Sequence, residues 1–331
     1  MLETSKPAGR RVVVLGTGGT IAGRARAAGD NLGYTAGEVG VAELLADVEA
    51  PPGTILLAEQ VAQIDSKDME FAVWQRLAQR CDAWLAQPDV AGVVVTHGTD
   101  TLEETAFFLQ SVLAPGKPVV LTCAMRPATS LSPDGPQNVR DALAVAATPG
   151  ASGVTVVCAG VIHGAHDVQK VHTYRLDAFA SGDAGPIGYV EEGAVRCVRN
   201  WPSAPGGRAY PAIDLIAGLA QWPRVEIVTS HAGARGTLVD ILVSEHLSAS
   251  TPSRLDGLVA AATGNGTLHH ALEAALLRAQ AAGIAVVRAT RCAEGRILAH
   301  PSAGLRDAGD LTPVKARVAL MLELIAAGPR S

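Results

Sequence analysis

"VVVLGTGGTIAG", Val12 to Gly23, passes from four unbroken apolar residues into a turn holding four glycines and two threonines within twelve positions. A short β-branched run with no polar alternation reads as a strand of a parallel sheet, covered on both faces. Glycine-rich turns after such strands commonly cradle phosphate, but the spacing here excludes the familiar forms. A dinucleotide fingerprint opening at Gly16 and Gly18 needs glycine at position 21, which is Ile21. The chain contains no Gly-Lys-Ser/Thr of a nucleotide-binding loop and no G-x-S-x-G of a serine hydrolase. What is left is a strand-end turn that lets backbone approach a small ligand, with hydroxyls at Thr17 and Thr20. A turn-capping role for Thr20 alone fits equally well.

The same alternation continues outward. Further strands are expected at 92–96, 119–123, 153–158, 225–229, 257–263 and 284–290, and helices at 67–86, 101–113, 137–147, 267–282 and 314–327. Several helix ends are legible. Thr101 to Glu104 has the pattern of a capping box, Thr312-Pro313 pairs an N-cap with proline at the first helical position, and Gly283 follows the end of a helix. Strands alternating with helices specify an α/β fold with parallel sheets. Residues 201–211, "WPSAPGGRAYP", form a linker, so a larger N-terminal parallel-sheet domain (1–200) precedes a smaller C-terminal α/β domain (212–331).

Composition narrows the function. The 331 residues are 48% hydrophobic, enough for large cores, and the net charge of −5 with 4% aromatics argues against nucleic acid or an anionic membrane as partner. Cys81, Cys123, Cys158, Cys197 and Cys292 are scattered, with no C-x-x-C, so neither a zinc site nor a disulfide framework is expected. Cys123 and Cys158 end apolar strands and read as buried, inert thiols. No apolar secretory stretch precedes the first strand and no run is long enough to span a membrane, so a cytoplasmic location is expected.

Three further segments carry polar chemistry. "THGTDTLEET", Thr96 to Thr105, puts Thr99 and Asp100 at the carboxyl end of a parallel strand, where open α/β sheets hold their ligands. In "QIDSKDMEF", Gln63 to Phe71, Ser66 begins an expected helix whose free N–H groups suit a carboxylate; an ordinary N-cap serine reads the same way. In "AHDVQKVHT", Ala165 to Thr173, Lys170 is a surface lysine if isolated, and a proton acceptor if desolvated beside Asp100. His97 lacks a Ser or Cys partner. His163, His166, His172 and the His269–His270 pair lack metal-ligand spacing, so core or solvated histidines are expected and no metal.

Together, "TGGTIAG" (Thr17 to Gly23), "THGTDTLEETAFFL" (Thr96 to Leu109), "DSKDM" (Asp65 to Met69), "AMRPATSLSPDGPQN" (Ala124 to Asn138), "DVQK" (Asp167 to Lys170) and "GNGTL" (Gly264 to Leu268) resemble the motifs of the bacterial-type L-asparaginase family, in order over nearly the whole chain. The resemblance implies hydrolysis of L-asparagine to L-aspartate and ammonia, with no metal or cofactor. It implies Thr20 as the nucleophile, Tyr34 as its flexible-loop partner, and Thr99, Asp100 and Lys170 as a second triad. Ser66 is implied as the ligand of the α-carboxylate, Asp100 also of the α-ammonium, and the Ala124 carbonyl of the side-chain amide. A homotetramer, a dimer of dimers, is implied as well, with Asn265 reaching the edge of a neighbouring subunit's site.

Lys67 departs from the family, whose better-known members carry Gln or Glu there, and Cys123 stands where glycine is frequent. The stretch between Arg291 and Thr312 does not align with the family's acidic partner for Tyr34; Glu294 is the nearest stand-in there and is not expected to fill the role. Two other readings stand beside the asparaginase: a glutaminase-asparaginase acting also on L-glutamine, and a catalytically weak aspartate-binding protein. One methylene of substrate is worth only about 1–3 kcal/mol in a pocket, so residue types alone do not rank the two amides. Gly23, Gly29 and Gly33 give the 20–35 loop the freedom to move, and a loop poorly ordered without ligand is expected.

Overall fold

Val12, Val13, Val14 and Leu15 are all fully buried, which requires a strand covered on both faces. In the computed structural model, which describes residues 9–27, 29–202, 210–248, 254–298 and 304–328, they form the centre of strand Arg10–Gly18. It pairs in parallel with Thr54–Ile64 on one side and Val90–Thr96 on the other. Val119–Thr122 and Val154–Cys158 extend the sheet in parallel. Val161–Gly164, Gly188–Glu191 and Ala194–Cys197 then add three antiparallel strands, completing eight. Helix Gly135–Ala147 covers one face through Val139, Ala142 and Leu143, against Val12, Val14, Val94 and Val120. Helices Phe71–Leu85 and Leu102–Leu113 pack on each other and on strands of the same sheet, with Trp74 stacked on Phe108 at 4.8 Å.

The fold class is as the sequence implies, a parallel-dominated α/β unit followed by a smaller α/β unit. The chain divides at Met1–Gly206 and Gly207–Ser331. Within the expected linker 201–211, residues 203–209 lie outside the described residues. The second unit holds parallel strands Arg224–Thr229, Leu255–Ala262, Ala285–Thr290 and Arg306–Asp307 in that spatial order. Its helices are Thr237–Ser248, His270–Ala281 and Pro313–Ala327, with a short turn of helix at Ile213–Ala217. Thr312 caps the last of the long helices by accepting the Lys315 N–H at 3.4 Å, and Gly283 takes φ +90° after the helix before it.

Some local expectations change. Thr54–Ile64 was not anticipated because, as an edge strand, it alternates exposure and carries Glu59, Gln60 and Gln63 instead of an apolar run. The helix expected from position 67 starts at Phe71, and Ser66–Asp68 is a separate 3₁₀ turn whose N-cap is Asp65. The capping box at Thr101 does not form: its hydroxyl makes no cap bond and donates instead to the Ser66 carbonyl at 2.8 Å.

The parallel strands run, across the sheet, fifth, fourth, third, first, second in chain order. The direction of winding therefore reverses between Arg10–Gly18 and Val90–Thr96, and it is beyond the carboxyl ends of strands at such a reversal that open α/β sheets form their ligand crevice. Two glycines close the floor of that crevice. A Cβ on Gly19 would lie 2.3 Å from Gly98 Cα, and a Cβ on Gly98 would lie 2.4 Å from Ser66 Oγ. Gly19 also has φ +84°, a conformation that side chains strain against.

Gly19→Ala is expected to destabilise the first unit by roughly 2–6 kcal/mol, the sum of about 1–3 for the positive φ and about 1–3 for overpacking. Urea unfolding checks it, and a loss below about 1 kcal/mol would mean that the two turns part easily.

Candidate active site

Gly19 is the N-cap of a 3₁₀ turn, Thr20–Ala22, which holds Thr20 at the mouth of the crevice with 7% of its surface exposed. Thr20 Oγ1 lies 2.6 Å from Tyr34 Oη, a hydrogen bond in which either hydroxyl can donate. Tyr34 belongs to a two-residue strand paired with Ala25 and Arg24, so the 20–35 loop folds back on itself. Gly23 leaves room for the ring, since a Cβ there would sit 2.8 Å from Tyr34 Cδ2. The loop margins are tied down: Gly37 N–H donates to Gly19 O at 3.1 Å, Ala25 N–H to Thr129 Oγ1 at 2.8 Å, and Ala128 N–H to Gly23 O at 3.1 Å. Both margins of the loop are thus held near the threonine, and among the described residues Tyr34 is that threonine's only side-chain hydrogen-bond partner.

Beside it, Lys170 Nζ donates to Thr99 Oγ1 at 2.8 Å and to Asp100 Oδ1 at 2.6 Å. The lysine side chain is 20% exposed and the aspartate 53%. Lys170 lies on a two-residue strand paired with Phe179 and Ala180, and its backbone N–H is held by Glu103 Oε2 at 2.7 Å. Glu103 was read from the sequence only as part of a capping helix start; its position one turn after Thr99 was the available signal. Ser66 is 2% exposed, and its Oγ accepts the Asp100 N–H at 3.2 Å. Its expected place at a helix N-terminus is corrected to the start of the 3₁₀ turn.

Lys67 is turned outward. Its ammonium bonds Asp68, lies 3.9 Å from Asp65, and is 60% exposed. Asp68, and then the field of Asp65 and Asp100, push its pKa above the ordinary lysine value.

Ala124 follows strand Val119–Thr122 and is fully buried. The adjoining backbone is fixed from helix Gly135–Ala147: Asn138 Nδ2 donates to Cys123 O at 2.9 Å, and Asp134 accepts the N–H groups of Met125 and Arg126, both at 2.9 Å. Neither Asp134 nor Asn138 was singled out from the sequence, although both close the motif that begins at Ala124. Asn265 lies in the second unit, exposed, its side chain bonded to both the N–H and the C=O of Leu298 at 2.7 and 3.3 Å.

His97 is a core residue. Its Nδ1 lies 2.7 Å from Gly98 O and its Nε2 3.0 Å from Thr105 Oγ1, which accepts the Trp74 indole N–H at 2.8 Å. A neutral ring protonated at Nδ1 satisfies the whole chain. Burial pulls the pKa of His97 down to about 4, and does the same for His163. Cys123 and Cys158 are buried with sulfurs 3.8 Å apart, and the Cys158 thiol together with burial drives the Cys123 pKa well above the usual thiol value. Among the described residues no group of His, Cys, Asp and Glu side chains could hold a metal ion.

Residues 11–203 match the family described as Asparaginase, N-terminal, and residues 224–328 match the Glutaminase/Asparaginase C-terminal domain. Over 324 residues the chain is 37% identical to L-asparaginase 2 of Escherichia coli, covering 95% of this chain and 88% of that one. It is 33% identical over 323 residues to the glutaminase-asparaginase of Pseudomonas fluorescens biotype A, covering 95% and 86%. Among solved structures, a Campylobacter jejuni protein described as a probable cytoplasmic L-asparaginase superposes with a TM-score of 0.85 at 35% identity, covering 95% of this chain and 94% of that one.

The two buried histidines make folding acid-sensitive. Each has a folded pKa of about 4 against 6.5 unfolded, so the unfolded chain binds more protons between those values. Stability is therefore full above pH 6.5 and is lost as pH falls toward 4. Between pH 7 and pH 5 each histidine is expected to cost about 2 kcal/mol. Urea titrations at the two pH values check this, and His163→Gln is expected to reduce the difference by about half.

Proposed function

The chain belongs to the asparaginase family across both of its domains, and from that membership we propose that it hydrolyses L-asparagine to L-aspartate and ammonia through an acyl-enzyme on Thr20. The observation that carries the proposal is the amine of Lys170, within hydrogen-bond reach of both Thr99 and Asp100 beside the Thr20–Tyr34 pair. Five polar groups from four segments converge there, at a strand reversal where open α/β sheets bind ligands.

An amide is a poor electrophile with a poor leaving group, so a covalent intermediate divides one hard step into two. In the first, Thr20 Oγ1 attacks the side-chain carbonyl while Tyr34 Oη, 2.6 Å away, receives or relays its proton. The C–N bond breaks, the nitrogen takes a proton, and ammonia leaves a β-aspartyl ester on Thr20. In the second, water adds to the ester, with Thr99 and Lys170 moving its proton, and Thr20 regains its hydroxyl as L-aspartate forms. The substrate is a zwitterion. Asp100 faces its α-ammonium, the Ser66 hydroxyl and turn face its α-carboxylate, and the Ala124 carbonyl accepts from the side-chain amide. Because Lys67 is held by Asp68, it leaves the α-ammonium to Asp100.

L-Glutamine is a second substrate in the broader form of this reading, which the similarity to glutaminase-asparaginases supports. We further infer a homotetramer, a dimer of dimers, in which the exposed Asn265 serves a neighbouring subunit's site. A cytoplasmic location suits the five free cysteines, two of them exposed.

Thr20→Ala, Thr99→Ala and Lys170→Met are each expected to lower kcat for ammonia release by roughly 10²–10⁴-fold, with smaller changes in KM. Full activity in Thr20→Ala would refute the acyl-enzyme. A wild-type protein that binds aspartate without turning over asparagine would instead establish the binding-protein reading.

A further inference from the structure

We propose that Asp134 is a positioning residue that aims the Ala124 carbonyl at the substrate's side-chain amide and strengthens it as an acceptor. The inference rests on the asparagine-hydrolysis reading above. Asp134 occupies the N-cap position of helix Gly135–Ala147, yet its side chain makes no capping bond. Its carboxylate is turned the other way: Oδ2 accepts the Met125 N–H and Oδ1 the Arg126 N–H, each at 2.9 Å.

The Met125 N–H belongs to the same peptide unit as the Ala124 carbonyl. In a planar trans peptide the N–H and C=O point in opposite directions, so whatever fixes one fixes the other. A carboxylate on the N–H therefore directs the Ala124 oxygen away from Asp134. It also polarises the amide: a negative charge behind the N–H shifts electron density onto the oxygen. Bonds from N–H to carboxylate are about twice as strong as neutral ones, so the plane is held firmly.

The neighbouring peptide is fixed as well. Asn138, 2% exposed, donates Nδ2 to Cys123 O at 2.9 Å and to Asp134 Oδ2 at 3.3 Å, while its Oδ1 accepts the Ala159 N–H at 2.9 Å. Packing closes the remaining freedom. A Cβ on Gly135 would lie 3.0 Å from Ile21 Cγ1 and 3.5 Å from Ala124 Cβ, so the start of the helix packs against both Ala124 and Ile21, the residue that follows Thr20. Two peptide units around Ala124 are clamped from one helix terminus.

An amide substrate donates an N–H to this carbonyl, whereas an ester cannot. L-Asparagine and L-aspartate β-methyl ester would acylate Thr20 to the same intermediate, releasing ammonia and methanol respectively. A fault in aiming Ala124 must then fall on the amide. The experiment measures kcat/KM for both substrates in wild type, Asp134→Asn and Asp134→Glu, on monodisperse protein with Tm recorded. In Asp134→Asn the carboxamide oxygen can accept from only one of the two N–H groups. Activity on asparagine is expected to fall roughly 10–100-fold and on the ester less than about threefold, so their ratio drops by about tenfold. A purely structural residue would lower both substrates together and leave the ratio unchanged. That outcome in a folded variant overturns the inference, and so does failure of both variants to yield folded protein. Wild-type protein inactive on both substrates would remove the hydrolase reading and this inference with it. Wild-type activity with an unchanged ratio in the variants would remove this inference alone.

Discussion

Gly19 and Gly98 meet backbone to backbone, and no side chain larger than hydrogen fits between them. Each ends a turn leaving an adjacent parallel strand, so their contact sets the spacing of the two threonines that follow, Thr20 and Thr99. Gly98 in turn lies against Ser66, which carries the third strand end into the same place. The hydroxyl of Ser66 holds the Asp100 backbone, and its carbonyl holds Thr101. Strand-end geometry, more than any one side chain, therefore decides where the polar groups converge.

Around this floor the protein separates two kinds of titratable group. His97 and His163 are sealed inside, neutral, with hydrogen-bond partners that fix the His97 tautomer down to the Gly98 carbonyl. Lys170 and Asp100 keep partial access to water and face each other at 2.6 Å. The polar side chains left facing the candidate site are thereby hydroxyls, one amine and one carboxylate, while the histidine beside them contributes rigidity. A buried imidazole that resists protonation is a poor base near neutral pH, which argues against a base role for His97 although it sits inside the motif.

Much of this was legible in the chain itself. The apolar runs at Val12–Leu15 and Val93–Val95 gave parallel strands because burial on both faces leaves no polar alternation to confuse the reading. Thr54–Ile64 was illegible for the converse reason: an edge strand with Glu59 and Gln60 has no signature apart from the sheet it joins. Thr101 followed by Glu104 matches a local capping pattern, yet the hydroxyl donates to the Ser66 carbonyl, 35 positions away, and accepts no helix N–H. Glu103 and Asp134 escaped notice since their partners are backbone N–H groups of other segments, which no spacing rule encodes. Both lie inside the quoted motifs, but a motif does not say which peptide a side chain holds.

The central place of strand Arg10–Gly18 has a cost during synthesis. Leu15 pairs with Val95, a full 80 positions later, and until then Val12 to Leu15 have cover on one edge at most. At 5–20 residues per second the nascent chain holds this apolar strand unfinished for roughly 4–16 s. Parallel pairing between distant segments is slow for the same reason, since long loops must close before any contact rewards them. The stretch that builds the site thus stays open to mispairing on the ribosome until Val95 has emerged.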